Sequence, residues 1–398
     1  MREKSVTSIP KILLVAGEPS GDALGAQLVN ALRDLTGGNI EIVGVGGEAM
    51  RATGLQSLFS IEDTSVMGLR EVVPRIPKIL RRVRQAAEFA RSTSPDVAVM
   101  IDSPDFTHRV AKKIRQLSPS QKVVDYVAPQ VWASRPGRAK KMATIFDHVL
   151  CLLPFEVPFF QKAGLAATFV GHPVVEREPV AGQGESFRSR HSIDAQQKIL
   201  LMLPGSRRNE LRFLWTIFKD AILLTEAKVG SVTVVIPTVQ NVASEVRALT
   251  KKWGRPIVVV EGAGEKLGAF AAGDVALAAS GTVSTELALS ATPMVIGYRV
   301  GAITAAVARP FIKVPYVTLV NLILGRMAIP EFVQEHCTAQ NLSRELVRLL
   351  SDHSARVAQV TASAQAVKAL GRGDESPSYR AARAILKIVK EPRIQSVQ

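Results

Sequence analysis

Lys11–Ala26 reads KILLVAGEPSGDALGA, and this stretch decides the fold. A continuously apolar run ends at Ala16, Gly17 breaks it, and Pro19, Ser20 and Gly21 lead into an Ala- and Leu-rich segment of helical period. An apolar run without alternation suits a strand buried on both faces, the kind that builds parallel sheets covered by helices. Similar runs recur at Ile40–Val45, Val97–Ile101, Lys122–Val127 and His148–Leu152, with helical patterns between them. Together they predict a doubly wound α/β unit.

Val175–Gln197 is polar and broken by Pro179, Gly182 and Gly184, which marks a linker. The alternation then restarts, with apolar runs at Lys198–Leu203, Val232–Ile236, Ile257–Glu261, Asp274–Ala279 and Met294–Tyr298. We read two doubly wound, Rossmann-like parallel-sheet domains, 1–184 and 185–370, facing across a cleft. A helical tail, 371–398, follows, with Gly371–Pro377 as a break before a helix around Ser378–Lys390. A chain of 398 residues is long enough for two cores. By analogy of fold alone, this is the GT-B plan of nucleotide-sugar transferases, whose ligands bind at the carboxyl ends of the strands.

Lys and Arg number 50 against 35 Asp and Glu, a net charge of +15 that favours a polyanionic partner: nucleic acid, anionic lipid or phosphorylated substrates. Aromatic residues make up 5% and are not interleaved with the basic segments, which argues against nucleic acid. No uncharged apolar stretch reaches the roughly 18 residues of a membrane span. The N-terminal segment has no apolar signal core, so a cytoplasmic protein is expected. Cys151 and Cys337 form no CxxC, and with six scattered histidines no metal site or cofactor is expected.

Four strand-to-helix turns carry the polar candidates. In AGEPSGD the glycine spacing is not GxGxxG, and the next strand runs into Gly44, Gly46 and Gly47 rather than an acid, which disfavours a nicotinamide dinucleotide. Ser20 or Asp22 capping the helix is one reading of that turn. The other makes it a ligand loop in which Glu18 meets polar substrate groups. In IDSPDF, Asp105 can cap the following helix, leaving Asp102 as either a general base on the sheet edge or a local turn former. In LPGSRRNEL, the amides of Gly205 and Ser206 with Arg207 suit a diphosphate, unless Arg207 and Arg208 are merely solvated. In AASGTVSTELAL, Ser280, Gly281 and Thr282 precede a helix, and Thr282 or Ser284 with Glu286 forms either a ribose site or a capping box.

Between Val66 and Arg91 a further pattern appears. Leu69, Val72, Val73, Ile76, Ile79, Leu80 and Val83 fall at helical spacing among Arg70, Arg75, Lys78, Arg81, Arg82 and Arg84. Such a stripe either faces a core or enters an anionic membrane surface, and Pro74 and Pro77 are expected to break its first part.

Taken in order, AGEPSGD, GVGG, EDTSVMG, IDSPDF, YVAPQVWA, LPFE, GHP, LPGSR, ASGT with Glu286, GYR and NLILGR closely resemble the lipid-A-disaccharide synthase family, from about Lys11 to Glu335. The resemblance implies a GT-B inverting hexosyltransferase with no cofactor. It would join UDP-2,3-diacylglucosamine to 2,3-diacylglucosamine 1-phosphate, giving a β(1→6) tetra-acyl disaccharide 1-phosphate and UDP. By the family's pattern Asp102 matches a catalytic acid or base, Arg207 a residue required for activity, and Asn321 an active-site position. Gly205, Ser206, Arg207, Ser280, Gly281, Thr282 and Glu286 become donor contacts, and Glu18, Gly21 and Asp22 substrate contacts. Because acylated substrates live in a membrane, Val66, Met67, Leu69, Val72, Val73 and Ile76 become a docking stripe on the anionic cytoplasmic face of the inner membrane. A homodimer is one arrangement the chain can take. Val320 stands where the family pattern has proline, and Ser134 where it has tryptophan. The rivals are a peptidoglycan-type N-acetylglucosaminyl transferase and a non-catalytic lipid-surface binder, separable by acceptor identity and by turnover.

Overall fold

In the computed structural model the apolar runs form two six-stranded parallel sheets. The structure describes residues 9–64, 69–131, 137–177, 180–301 and 314–392, with backbone only for 69–73. The first sheet contains β1 (Lys11–Ala16), β2 (Glu41–Val45), β3 (Val97–Ile101), β4 (Val123–Tyr126), β5 (His148–Cys151) and β6 (Ala166–Phe169), in the order β2-β1-β3-β4-β5-β6. Its helices are α1 (Pro19–Thr36), α2 (Glu48–Ala52), α3 (Leu69–Thr93), α4 (Pro104–Leu117), α5 (Gly137–Ala143) and α6 (Glu156–Lys162). In register, Leu13 lies beside Val43 and Ala98, so β1 is hydrogen-bonded on both edges. Apolar side chains pack on both faces of the sheet, Leu13 and Val15 on one and Ile12 and Leu14 on the other.

The second sheet has β7 (Ile199–Leu203), β8 (Thr233–Thr238), β9 (Val258–Glu261), β10 (Val275–Ala279), β11 (Met294–Tyr298) and β12 (Glu331–Val333), ordered β12-β11-β10-β7-β8-β9. Around it lie α7 (Gln183–Arg190), α8 (Arg208–Val229), α9 (Gln240–Lys251), α10 (Ala263–Ala272), α11 (Val283–Leu289), α12 (Leu319–Leu324), α13 (Ala339–Ser351) and α14 (His353–Ala369). A last helix, α15 (Pro377–Lys390), packs on α1. In each sheet the chain reverses its order of strand addition once, between β1 and β3 and between β7 and β10. Such switch points leave an opening at the strand carboxyl ends.

The domain limits differ from those read in the sequence. Contacts divide the chain into Met1–Pro173 with Gly373–Gln398, and Val174–Arg372. The expected linker holds α7, which is anchored by fully buried Phe187 against α10 and by Arg188 Nη2 donating to the Ala272 carbonyl at 3.0 Å. The tail belongs with the first unit because Ala381, Ala382 and Ile385 enter its core, while Lys122 Nζ caps the end of α15 at the Ile388 carbonyl.

Neither proline breaks α3, which runs unbroken through Pro74 and Pro77. Its apolar stripe divides instead. Val83 is buried and Ile79 packs against the core, whereas Ile76 and Leu80 are 42% and 50% exposed. Val66, Met67 and Ser134 lie outside the described residues, as do the side chains of Leu69, Val72 and Val73. No helix among the described residues is long and apolar enough to cross a membrane.

Candidate functional site

At the switch point of the first sheet, β3 ends in Ile101 and the next two residues turn sharply. Asp102 and Ser103 have φ of 54° and 47°, a left-handed pair without glycine. Such conformations cost on the order of 1–3 kcal/mol each and persist where surrounding bonds enforce them. Those bonds are present: Asp102 N donates to the Tyr126 carbonyl at 2.9 Å, and Thr107 Oγ1 donates to the Asp102 carbonyl at 2.6 Å. Ser20 Oγ donates to Asp102 Oδ2 at 2.7 Å, and Ser103 Oγ to Glu18 Oε1 at 3.0 Å. Two partly exposed carboxylates, Glu18 and Asp102, are thus held at one sheet edge. Beneath them Asp125 on β4 is 1% exposed and lies 3.3 Å from His108 Nε2. Burial pushes its carboxyl up, opposed in part by His108.

Several expectations about this turn are corrected. Asp105 does not cap α4; Ser103 is the N-cap residue and Asp105 lies in the first turn, where its charge suits the helix dipole. Neither Ser20 nor Asp22 caps α1, whose N-cap is Glu18. Asp22 is no free substrate ligand. It is 4% exposed, and its carboxylate accepts the amides of Gly47 at 2.7 Å, Ala49 at 2.9 Å and Met50 at 3.0 Å, capping α2. Gly21 serves close packing, since a Cβ there would lie 2.9 Å from the Ile101 carbonyl oxygen.

At the second switch point a cavity of about 350 Å³ opens between the ends of β7 and β10, lined by Gly205, Ser206, Arg207, Ser280, Gly281, Thr282 and Glu286 together with Glu210, Thr238 and Lys266. The sequence brought seven of these to notice, and the last three were missed. Gly205 has φ of +113°, a conformation glycine tolerates, and the Glu210 side chain packs directly on it. Glu210 Oε2 accepts the amides of Ser206 at 2.8 Å and Arg207 at 3.2 Å. The Ser206 amide is therefore taken by an internal carboxylate, not left open as expected. An acid three residues beyond the cap is the capping-box spacing that could have revealed it. Arg207 itself is largely exposed, its Nη1 3.4 Å from Glu210 Oε1.

The expected capping box at α11 is absent: Thr282 makes no side-chain cap bond. Glu286 instead turns to Lys266, whose Nζ lies 2.9 Å from each of its oxygens, and to Arg177. Ser280 Oγ donates to the Val317 carbonyl at 3.2 Å.

Asn321 is fully buried and satisfied. Its Nδ2 donates to the Ile329 carbonyl at 2.8 Å and to Glu331 Oε2 at 3.0 Å, while its Oδ1 accepts the amides of Ala328 and Ile329, both at 2.8 Å. With no donor or acceptor to spare, it braces the segment leading into β12 and is not placed to touch substrate. Val320 beside it is buried within α12. A more open hollow of about 720 Å³, lined by Pro315, Asn341 and Arg348 among others, contains none of the predicted site residues. Among the described residues, no group of three or more His, Cys, Asp or Glu could hold a metal ion.

The family model described as lipid-A-disaccharide synthetase matches residues 12–387. The chain belongs to the lipid-A-disaccharide synthase family. Its similarity to the synthase of Rhodospirillum centenum is 46% identity over 378 residues, covering 95% of this chain and 94% of that one. The synthase of Paramagnetospirillum magneticum is 43% identical, over 96% of this chain and 99% of its own. Among solved structures, UDP-bound MnaA of S. aureus superposes with a TM-score of 0.61 at 14% identity over 96% of each chain, and MurG of Acinetobacter baumannii with 0.55 at 14% identity over 95% and 99%. These distant likenesses speak to the fold, which is GT-B. As a member of the synthase family the protein is a hexosyltransferase of lipid A biosynthesis, which sets aside the peptidoglycan-type and non-catalytic readings.

Proposed function

We propose that the enzyme transfers 2,3-diacylglucosamine from UDP-2,3-diacylglucosamine to the 6-hydroxyl of 2,3-diacylglucosamine 1-phosphate, inverting the anomeric centre and releasing UDP. Asp102 is the general base: as the hydroxyl oxygen bonds to the anomeric carbon, its proton passes to the carboxylate and UDP departs with the bonding pair. The observation that carries this role is the left-handed Asp102–Ser103 pair, a strained turn held by four hydrogen bonds, one of them to the partly exposed Asp102 carboxylate itself.

In the second unit, the 350 Å³ cavity takes UDP. Arg207 and Lys266 supply positive charge toward the diphosphate, so leaving-group charge is met by these cations rather than by the start of α8, whose amides Glu210 occupies. Glu286, drawn in by Lys266 and Arg177, is placed to accept a ribose hydroxyl. The exposed Ile76 and Leu80, with Arg75, Arg81 and Arg84 exposed beside them, support docking of α3 on the anionic cytoplasmic face of the inner membrane.

The test is UDP release in detergent micelles with both acylated substrates. Release that requires the acceptor and yields a disaccharide phosphate by mass spectrometry is expected, and Asp102→Asn should abolish turnover while retaining UDP binding. Wild-type rates in that variant would remove Asp102 from the mechanism.

A further inference from the structure

Two hydrogen bonds cross between the loop after β1 and the loop after β3. Ser20, in the first turn of α1 that follows the first loop, donates to Asp102 on the second, and Ser103 on the second donates to Glu18 on the first. Each side of the crossing thus supplies one hydroxyl and one carboxylate.

The crossing is built into the backbone. A Cβ at Gly17 would stand 2.9 Å from Ser103 Oγ, and one at Gly21 would stand 2.9 Å from the Ile101 carbonyl oxygen, so only glycines let the loops approach this closely. Both serines sit at helix starts, where a hydroxyl commonly caps backbone amides. Neither does so: α1 and α4 have no side-chain cap bond, and the hydroxyls go to the two carboxylates.

We infer that Ser20 is a positioning residue for Asp102. The inference rests on reading Asp102 as the base. Bonding at Oδ2 fixes the carboxylate plane, and among the described residues no hydrogen bond reaches Oδ1, which is left to receive the acceptor's proton. Without Ser20 the side chain of a residue at a strand end, facing water, samples several rotamers, few of which aim an oxygen at the attacking hydroxyl. Ser20 is exposed, so the bond adds little to folding stability, and its value lies in orientation. The partner bond differs. Ser103 is buried, and its bond to Glu18 braces the loops against each other.

Steady-state kinetics with UDP-2,3-diacylglucosamine and 2,3-diacylglucosamine 1-phosphate in micelles, alongside thermal melts, test this on Ser20→Ala, Ser20→Thr and Asp102→Asn. Ser20→Ala should lose about ten- to a hundredfold in kcat, the scale of a misplaced catalytic group, with both KM values and the melting midpoint unchanged. Ser20→Thr, which keeps the hydroxyl, should restore the rate. A wild-type kcat in Ser20→Ala while Asp102→Asn is inactive overturns the role of Ser20 alone. A rate loss that Thr does not restore, or one matched by a fallen midpoint, makes Ser20 a structural residue and also overturns it. A fully active Asp102→Asn removes the base, and this inference with it.

Discussion

Lys266 Nζ lies 2.9 Å from both carboxylate oxygens of Glu286, on the wall of the cavity at the β7 and β10 ends. With Arg177 on the same carboxylate, the cluster carries two cations against one anion, a surplus positive charge that the proposed diphosphate site would use.

Lys266→Ala is therefore expected to raise the dissociation constant for UDP by about tenfold, the scale of one charge-assisted contact, and to flatten its dependence on salt. Calorimetric titration at two ionic strengths checks this. An unchanged affinity would mean that Lys266 serves Glu286 alone.

Asn321 invites a different expectation from the one its motif suggests. Truncation to Ala would strand the buried amide and carbonyl of Ile329 and the half-buried amide of Ala328, at a cost of about 2–4 kcal/mol. The lost activity should then track lost folding, and chemical denaturation should show it. If Asn321→Ala melts like the wild type yet is inactive, a direct substrate contact is the better account.

What the sequence discloses, and what it hides, follows from how far apart the interacting residues lie. Strands such as β1 and β10 are legible because burial on both faces leaves only apolar residues. Half-exposed edge strands lose that signature: β6 is AATF and β12 is EFV, and neither reads as a strand. In the site, the turns themselves were visible as Gly-rich breaks after apolar runs. Their partners were not. Asp22 meets amides 25 to 28 residues away, and Lys266 meets Glu286 across 20 residues. No local pattern encodes such pairs, so Asp22 read as an α1 cap or a substrate contact and Glu286 as a ribose contact or part of a capping box. Asn321 sits in a motif that the resemblance linked to activity, and only its four bonds show that its work is internal.

The divided stripe of α3 gives a prediction in which two readings of one helix part company. Ile76→Ser with Leu80→Ser changes exposed positions, so stability should stay within about 0.5 kcal/mol of wild type. Co-sedimentation with anionic phospholipid vesicles should fall sharply, because the apolar contacts with the bilayer are lost. Val83→Ser, four residues further into the core than Ile79, should do the reverse: vesicle binding per folded molecule is kept, and the fold loses about 2 kcal/mol or more. Undiminished vesicle binding by the double variant would move the docking surface elsewhere.

Part of the charge beside that stripe is already engaged. Lys78 and Arg82 both pair with Asp63, the Arg82 contact at 2.6 Å, and their hydrogen bonds, Lys78 first, hold the Asp63 carboxyl below its usual value of 3.8. A depressed folded-state pKa means that the stabilisation is fully present above pH 3.8 and is lost as pH falls through the lower folded value. Asp63→Asn should thus be less stable than wild type at pH 7, by at most about 1 kcal/mol for a pair at the surface, and the gap should close on acidification below pH 4. Urea denaturation of both proteins at pH 7 and pH 3 measures it. The same substitution releases two cations on α3, so binding to anionic vesicles should rise while the fold weakens slightly. A gap that widens in acid would show that Asp63 matters through its protonated form, and that the ion pairs are not its contribution.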